Sequence, residues 1–90
     1  MNKVRRKEII NIMEQLYEAE TKIADAYVTI IEKNAEEEEY RDNMPENMWG
    51  GEKYEISEEA SDSMEYAYES LEELSDRIMV AISYLEDAIA

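Results

Sequence analysis

Carboxylates are the side chains through which this chain could do chemistry: Asp and Glu number 24 against nine Lys and Arg, giving a net charge of −15, and histidine and cysteine are absent. Without either, nucleophilic triads, thiolate zinc sites, carboxylate–histidine di-iron sites and a disulfide framework are excluded. The acids could still bind calcium or work as an acid–base pair. The richest stretch, Glu36 to Glu59, reads EEEEYRDNMPENMWGGEKYEISEE, and it lacks the alternating Asp/Asn ligands, central glycine and terminal glutamate of an EF-hand loop. Hydrolysis by paired carboxylates needs a cleft that raises one pKa, and the rod inferred below offers no deep pocket. No catalytic residue, cofactor or metal is therefore expected, and recognition of a basic partner is what remains for the acids.

Their distribution sharpens this. Residues 1–31 sum to zero charge, residues 32–76 to −14 and residues 77–90 to −1. Carboxylates recur at Glu32, Glu36 and Glu39 and again at Glu65, Glu69, Glu72, Glu73 and Asp76, which on helices makes rows of negative charge about a turn apart. Such rows approach the charge spacing of a nucleic-acid backbone, about 3.4 Å per strand. A solvated acidic face is the plainer reading of the same pattern, but a small domain needs a net charge of only roughly 2–8 for solubility.

The elements that carry these acids are helices. From Lys3 to Tyr40 there is neither glycine nor proline, and Ile9, Ile12, Leu16, Ala19, Ile23, Ala26 and Ile30 step by three and four. A second set, Met13, Tyr17, Ala24, Tyr27 and Ile31, lies beside that stripe. After the only proline, Pro45, and the only glycines, Gly50 and Gly51, Ser57 is a natural N-cap with Glu58 and Glu59 in the first turn. The row Ala60, Met64, Ala67, Leu71, Leu74, Ile78, Ala81, Leu85, Ala88 then predicts a helix with an alanine-rich seam. The expectation is an all-α single domain over 1–90: an antiparallel two-helix hairpin resembling a coiled coil. Its helices cover about 3–40 and 57–89, and each segment of about 35 residues gives a rod about 50 Å long. The acidic loop over 41–56 is structured, with room for a short third helix. Tyr54, Ile56, Met44, Met48 and Trp49 are expected to fold back over the open end, with Trp49 as the plug. No stretch approaches the roughly 20 apolar residues of a membrane span, and Asn11, Glu14, Gln15 and Glu18 break up what would be a signal-peptide core after MNKVRRKEII. A soluble, intracellular protein is expected.

Tyr40-Arg41-Asp42-Asn43-Met44-Pro45-Glu46-Asn47, then Glu52-Lys53-Tyr54-Glu55 and an acidic helix, resembles a group of small acidic helical proteins of bacterial phages and mobile elements. In size and acidity the chain is also similar in kind to anti-CRISPR proteins that imitate DNA. These resemblances imply the cytoplasm of a bacterial host and an inhibitor that occupies the groove of a basic nucleic-acid-binding protein, a Cas nuclease being the one suspected, without binding nucleic acid itself. The expected partner-binding residues are Glu36, Glu37, Glu38, Glu39, Asp42, Glu46, Glu52, Glu55, Glu58, Glu59 and Asp62, with Tyr40, Trp49 and Tyr54 as aromatic anchors. Two alternatives stand beside this: an antitoxin or anti-repressor using the same surface, and a structural hairpin that dimerises into a four-helix bundle through Tyr17, Ile31, Tyr68, Ile82 and Ile89.

Overall fold

Nothing between Asn2 and Asn43 interrupts a helix. In the computed structural model, which describes residues 1–90, α1 accordingly runs unbroken from Lys3 to Asp42. The Asn2 side chain accepts from the Arg5 N–H at 2.7 Å and caps its start. Its end holds despite Glu36–Glu39, because the Asn43 N–H bonds back to the carbonyls of Glu39 and Arg41. A nine-residue connection follows, containing a 3₁₀ turn over Glu46–Met48, and α2 spans Glu52–Ile89. The two helices pack against each other as an antiparallel hairpin whose Cα trace measures 70 × 14 × 14 Å. The rod exceeds the expected 50 Å because α1 alone, at 40 residues, spans about 60 Å and the connection extends beyond its end.

α2 begins at Glu52 and not at Ser57. Gly50 turns the chain at φ +79°, Gly51 is the N-cap, and the Gly51 carbonyl accepts from the Glu55 N–H at 3.0 Å. With no breaker between Glu52 and Ser57, the helix starts as soon as the glycines allow. Glu52 and Glu55 then occupy the first turn, where negative charge is favoured.

The seam also differs from the expected one. Met64, Leu71, Ile78 and Leu85 do face α1, but Ala67, Ala81 and Ala88 are exposed and Leu74 is 44% exposed. Their place is taken by Ser61, Tyr68, Ser75, Ile82 and Ile89, with Ile82 only 1% exposed. On α1 the row Ile9, Leu16, Ile23, Ile30 is retained, and its mate is Met13, Glu20, Tyr27, Asn34, Arg41 in place of Ile12, Ala19, Ala26. Burying isoleucine and tyrosine removes more apolar area than burying alanine, which decides between two rows of equal period. Tyr68, Ile82 and Ile89 are thus seam residues and not a widened outer face.

Two cross-helix contacts fix the register: Ser75 Oγ donates to Glu20 Oε1 at 2.8 Å, and the Tyr27 and Tyr68 rings meet edge to face at 5.7 Å. Continued by heptads, this sets Met13 opposite Ile82 and Asn34 opposite Ser61. At the loop end Arg41 donates to Ser57 Oγ at 3.1 Å and Ser61 Oγ at 3.0 Å. Met44, 8% exposed, plugs the open end. Trp49 does not; it is 51% exposed, tilts against Tyr54 at 6.3 Å, and donates its indole N–H to the Met44 carbonyl at 3.0 Å.

Because Ile82 lies in the seam and Leu74 outside it, Ile82→Ala should cost about 2–4 kcal/mol and Leu74→Ala about 1 kcal/mol or less. Urea denaturation of the two variants followed by circular dichroism checks this, and an alanine seam predicts the reverse order.

Candidate functional site

The seam register fixes where every outward side chain points. Label the seam rows a (Met13, Glu20, Tyr27, Asn34, Arg41; Tyr54, Ser61, Tyr68, Ser75, Ile82, Ile89) and d (Ile9, Leu16, Ile23, Ile30, Glu37; Ser57, Met64, Leu71, Ile78, Leu85). In an antiparallel pair the two e rows then border one flank and the two g rows the other. The Tyr17 hydroxyl donating to Glu86 Oε1 at 3.2 Å is such an e-to-e contact.

On α2 the carboxylates obey this geometry without exception. All twelve, from Glu52 to Asp87, fall at b, e or f, and none falls among the eleven c and g positions, which read Lys53, Ile56, Ala60, Ser63, Ala67, Ser70, Leu74, Arg77, Ala81, Tyr84 and Ala88. Both cations of α2, Lys53 and Arg77, belong to the c and g set. One flank of the hairpin is therefore a carboxylate surface that α2 supplies with no cation. Between Glu52 and Asp76 it carries ten acids over about 36 Å of helix, or one per about 3.6 Å.

The expected site residues divide along the same lines. Glu55, Glu58, Glu59 and Asp62 stand exposed on the acidic flank with Glu52, and Glu38, Glu39 and Asp42 of α1 join them beside the loop. Glu46 is exposed in the 3₁₀ turn, and Trp49 sits at the tip. Glu37 and Tyr54 are half-buried in the seam rows. Glu36 and Tyr40 lie on the opposite flank, where Glu36 pairs with Lys33 at 3.2 Å. An expectation centred on the loop leaves out Glu65, Glu69, Glu72, Glu73 and Asp76 as partner contacts, although they continue the same surface up α2. Assigning each acid to a heptad position finds them from sequence, once the seam row is known.

No three carboxylates converge in an arrangement that could hold a metal ion. A shallow groove of about 200 Å³ opens at mid-rod among Ile23, Tyr27, Leu71 and Ser75. No helix is long and apolar enough to cross a membrane. No protein-family model, curated protein or solved structure matches the chain.

The acidic flank also acts on two phenols. The hydrogen bond to Glu86, then burial and the charge of Glu86, raise the Tyr17 pKa above the ordinary 10.0. Burial first, then the charges of Glu65 and Glu69, raise that of Tyr68. Folding thus favours the protonated phenols, so the stability they contribute is complete below pH 10 and is lost as pH climbs through the higher folded values. The melting temperature should fall above about pH 10, and it should fall less steeply in the Tyr17→Phe/Tyr68→Phe double variant. Equal slopes in thermal melts of the two proteins would count against the assignment.

At the loop end, Arg41 faces two serine hydroxyls and makes no salt bridge in a chain of 24 acids. Arg41→Ala leaves those hydroxyls without their donor, and a loss of about 1–3 kcal/mol is expected. Hydrogen exchange should place the weakened amides in the last two turns of α1 and the first three of α2. Uniform weakening along the rod would contradict this.

Proposed function

We propose that this protein is an inhibitory binding protein whose acidic flank occupies the basic groove of a nucleic-acid-binding protein. One observation carries the reading: a cation-free face of α2 bearing about one carboxylate per 3.6 Å, against one phosphate per about 3.4 Å along a DNA strand. A groove of Arg and Lys built to follow a phosphate backbone meets similar charge density on this flank. Its cations would form charge-assisted hydrogen bonds with Glu55, Glu58, Glu59, Asp62, Glu65, Glu69 and Glu73.

The charge works against the fold, since repulsion among so many carboxylates destabilises the compact state. Solubility alone does not call for it, nor for its segregation on one side of α2. Trp49, 51% exposed at the tip, and Tyr66, 72% exposed at an f position among the acids, supply ring faces for cation–π contacts. Association should be fast and should weaken steeply with salt. The likeness in kind to DNA-imitating inhibitors makes a Cas nuclease the first partner to assay.

The test is competition. A Cas nuclease is incubated with the chain at low salt, and DNA binding and cleavage are measured. Inhibition is expected, with affinity falling at least about tenfold between 50 and 200 mM salt. Replacing Glu55, Glu58, Glu59, Asp62 and Glu65 by Gln or Asn should abolish inhibition while leaving the hairpin folded. If neither the nuclease nor a panel of basic nucleic-acid-binding proteins forms a complex at low salt, the reading is wrong.

A further inference from the structure

The opposite flank is set apart by the absence of carboxylates on α2. Where α2 turns it outward, the large apolar residues Ile56, Leu74 and Tyr84 stand at 57%, 44% and 71% exposure among alanines and serines, with Arg77 as the one cation between Ala60 and Ala88. On α1 the same flank presents Ile12, 46% exposed, with half-buried Ala19 and exposed Ala26, bordered by Gln15 and Lys22 and, toward the loop, by the Lys33–Glu36 pair. By register Ile12 faces across to Ala81 and Ala19 to Leu74, so the two g rows form one continuous strip.

We infer that this strip is the interface of a homodimer in which two hairpins pack antiparallel, as a four-helix bundle, with their acidic flanks turned outward. Three observations select a second copy. The first is area. The chain exposes 6841 Å², whereas a compact monomer of 10.6 kDa exposes about 5,500 Å². A rod this thin cannot bury the difference by itself. The strip runs from Ala60 to Ala88, about 42 Å long and roughly two helix diameters wide, and offers about 800 Å² per copy, the amount a stable interface of standard size uses.

The second is charge. A molecule of net charge −15 is repelled by its own copy on every approach that opposes carboxylate faces, and apposing these strips avoids that opposition along α2. The third is direction. Lys3, Arg5, Arg6 and Lys7 lie at one end of the rod and the −14 segment is centred on the other. An antiparallel pair sets each basic end beside the partner copy's acidic end, while a parallel pair would bring the two acidic ends together. Alanines in the strip permit the close interhelical approach of a tight bundle.

This inference does not rest on the proposed function, and the two respond to salt in opposite senses. Screening relieves repulsion between copies, so dimerisation should strengthen from 50 to 500 mM salt, whereas binding to a basic groove weakens. Sedimentation equilibrium of the purified chain at tens of micromolar should give twice 10.6 kDa. A monomer throughout the salt series overturns the proposal, including the case in which another protein covers the strip. Ala67→Glu/Ala81→Glu and, separately, Tyr84→Glu place carboxylates in the strip at exposed helical positions. Both should weaken association by more than about a hundredfold with unchanged helical circular dichroism, while Glu69→Gln/Glu73→Gln should not weaken it. Dimers that survive both strip variants overturn the face.

The chain has no cysteine, so single-cysteine variants report direction. Oxidising a mixture of Met1→Cys and Asn47→Cys should give the mixed disulfide dimer in preference to either self-linked one. Efficient self-linking of either variant alone overturns the antiparallel arrangement.

Discussion

The structure depends on an alternation of layers along its seam. Ile9, Leu16, Ile23 and Ile30 of α1 meet Met64, Leu71, Ile78 and Leu85 of α2 in apolar layers. Between them lie layers with polar members: Glu20 with Ser75, the Tyr27–Tyr68 pair, Asn34 at the level of Ser61, and Arg41 with Ser57 and Ser61. The apolar layers alone would tolerate a slip of one heptad, since each row repeats every seven residues. A slip would part Glu20 from Ser75 and Arg41 from its serines, leaving polar groups unpaired in the seam. Buried polar contacts specify register in this way at some cost in stability. The Asn34 Oδ1, buried without a partner, is where that cost is visible.

Register in turn decides what the surface is. Had the alanine rows closed the hairpin, Ile82, Ile89 and Tyr68 would face solvent, and the acids at the e positions would stand at other angles to the seam. With the isoleucine–tyrosine row inside, α2 presents two flanks of opposite character. One carries every carboxylate of the helix, and the other is free of them. Neither character follows from helix stability. The basic first turn of α1 and the glutamates near its C-terminus oppose the helix macrodipole, whereas Arg41 in the last turn of α1 and the Glu52 and Glu55 turn of α2 agree with it. Charges placed against the dipole and sorted by flank are what the two proposed binding surfaces would require.

The hairpin itself was legible in the sequence. Uninterrupted 3–4 stepping on either side of Pro45 and Gly50–Gly51 leaves little room for any other fold, and four large residues at heptad spacing on each helix name one seam row correctly. The second row was not legible from period, because Ile12, Ala19, Ala26 and Met13, Glu20, Tyr27 each continue the pattern from Ile9 and Leu16. Absence of charge pointed to the alanines, since carboxylates avoid that side of α2. Side-chain size pointed to Ile82 and Tyr68, and size prevailed. The start of α2 was misplaced for a related reason: Ser57 has the chemistry of a cap, but a cap acts only where a helix must begin, and Gly51 comes first. Its hydroxyl accepts from Arg41 instead.

Stability along the rod is uneven in consequence. At the end where the termini meet, the seam holds Ile9, Met13, Leu16, Ile78, Ile82 and Leu85. Toward the loop it passes to Asn34, Glu37, Arg41, Ser57 and Ser61, with Met44 as the one buried apolar residue. Repulsion is strongest in the same region, around the −14 segment. Few apolar contacts and strong repulsion together make the loop half the first to open. Cations bound along the acidic flank would relieve that repulsion, and whatever binds the closed form alone stabilises it by mass action. The half of the rod that is weakest by itself is therefore the half that a positively charged surface would stabilise most.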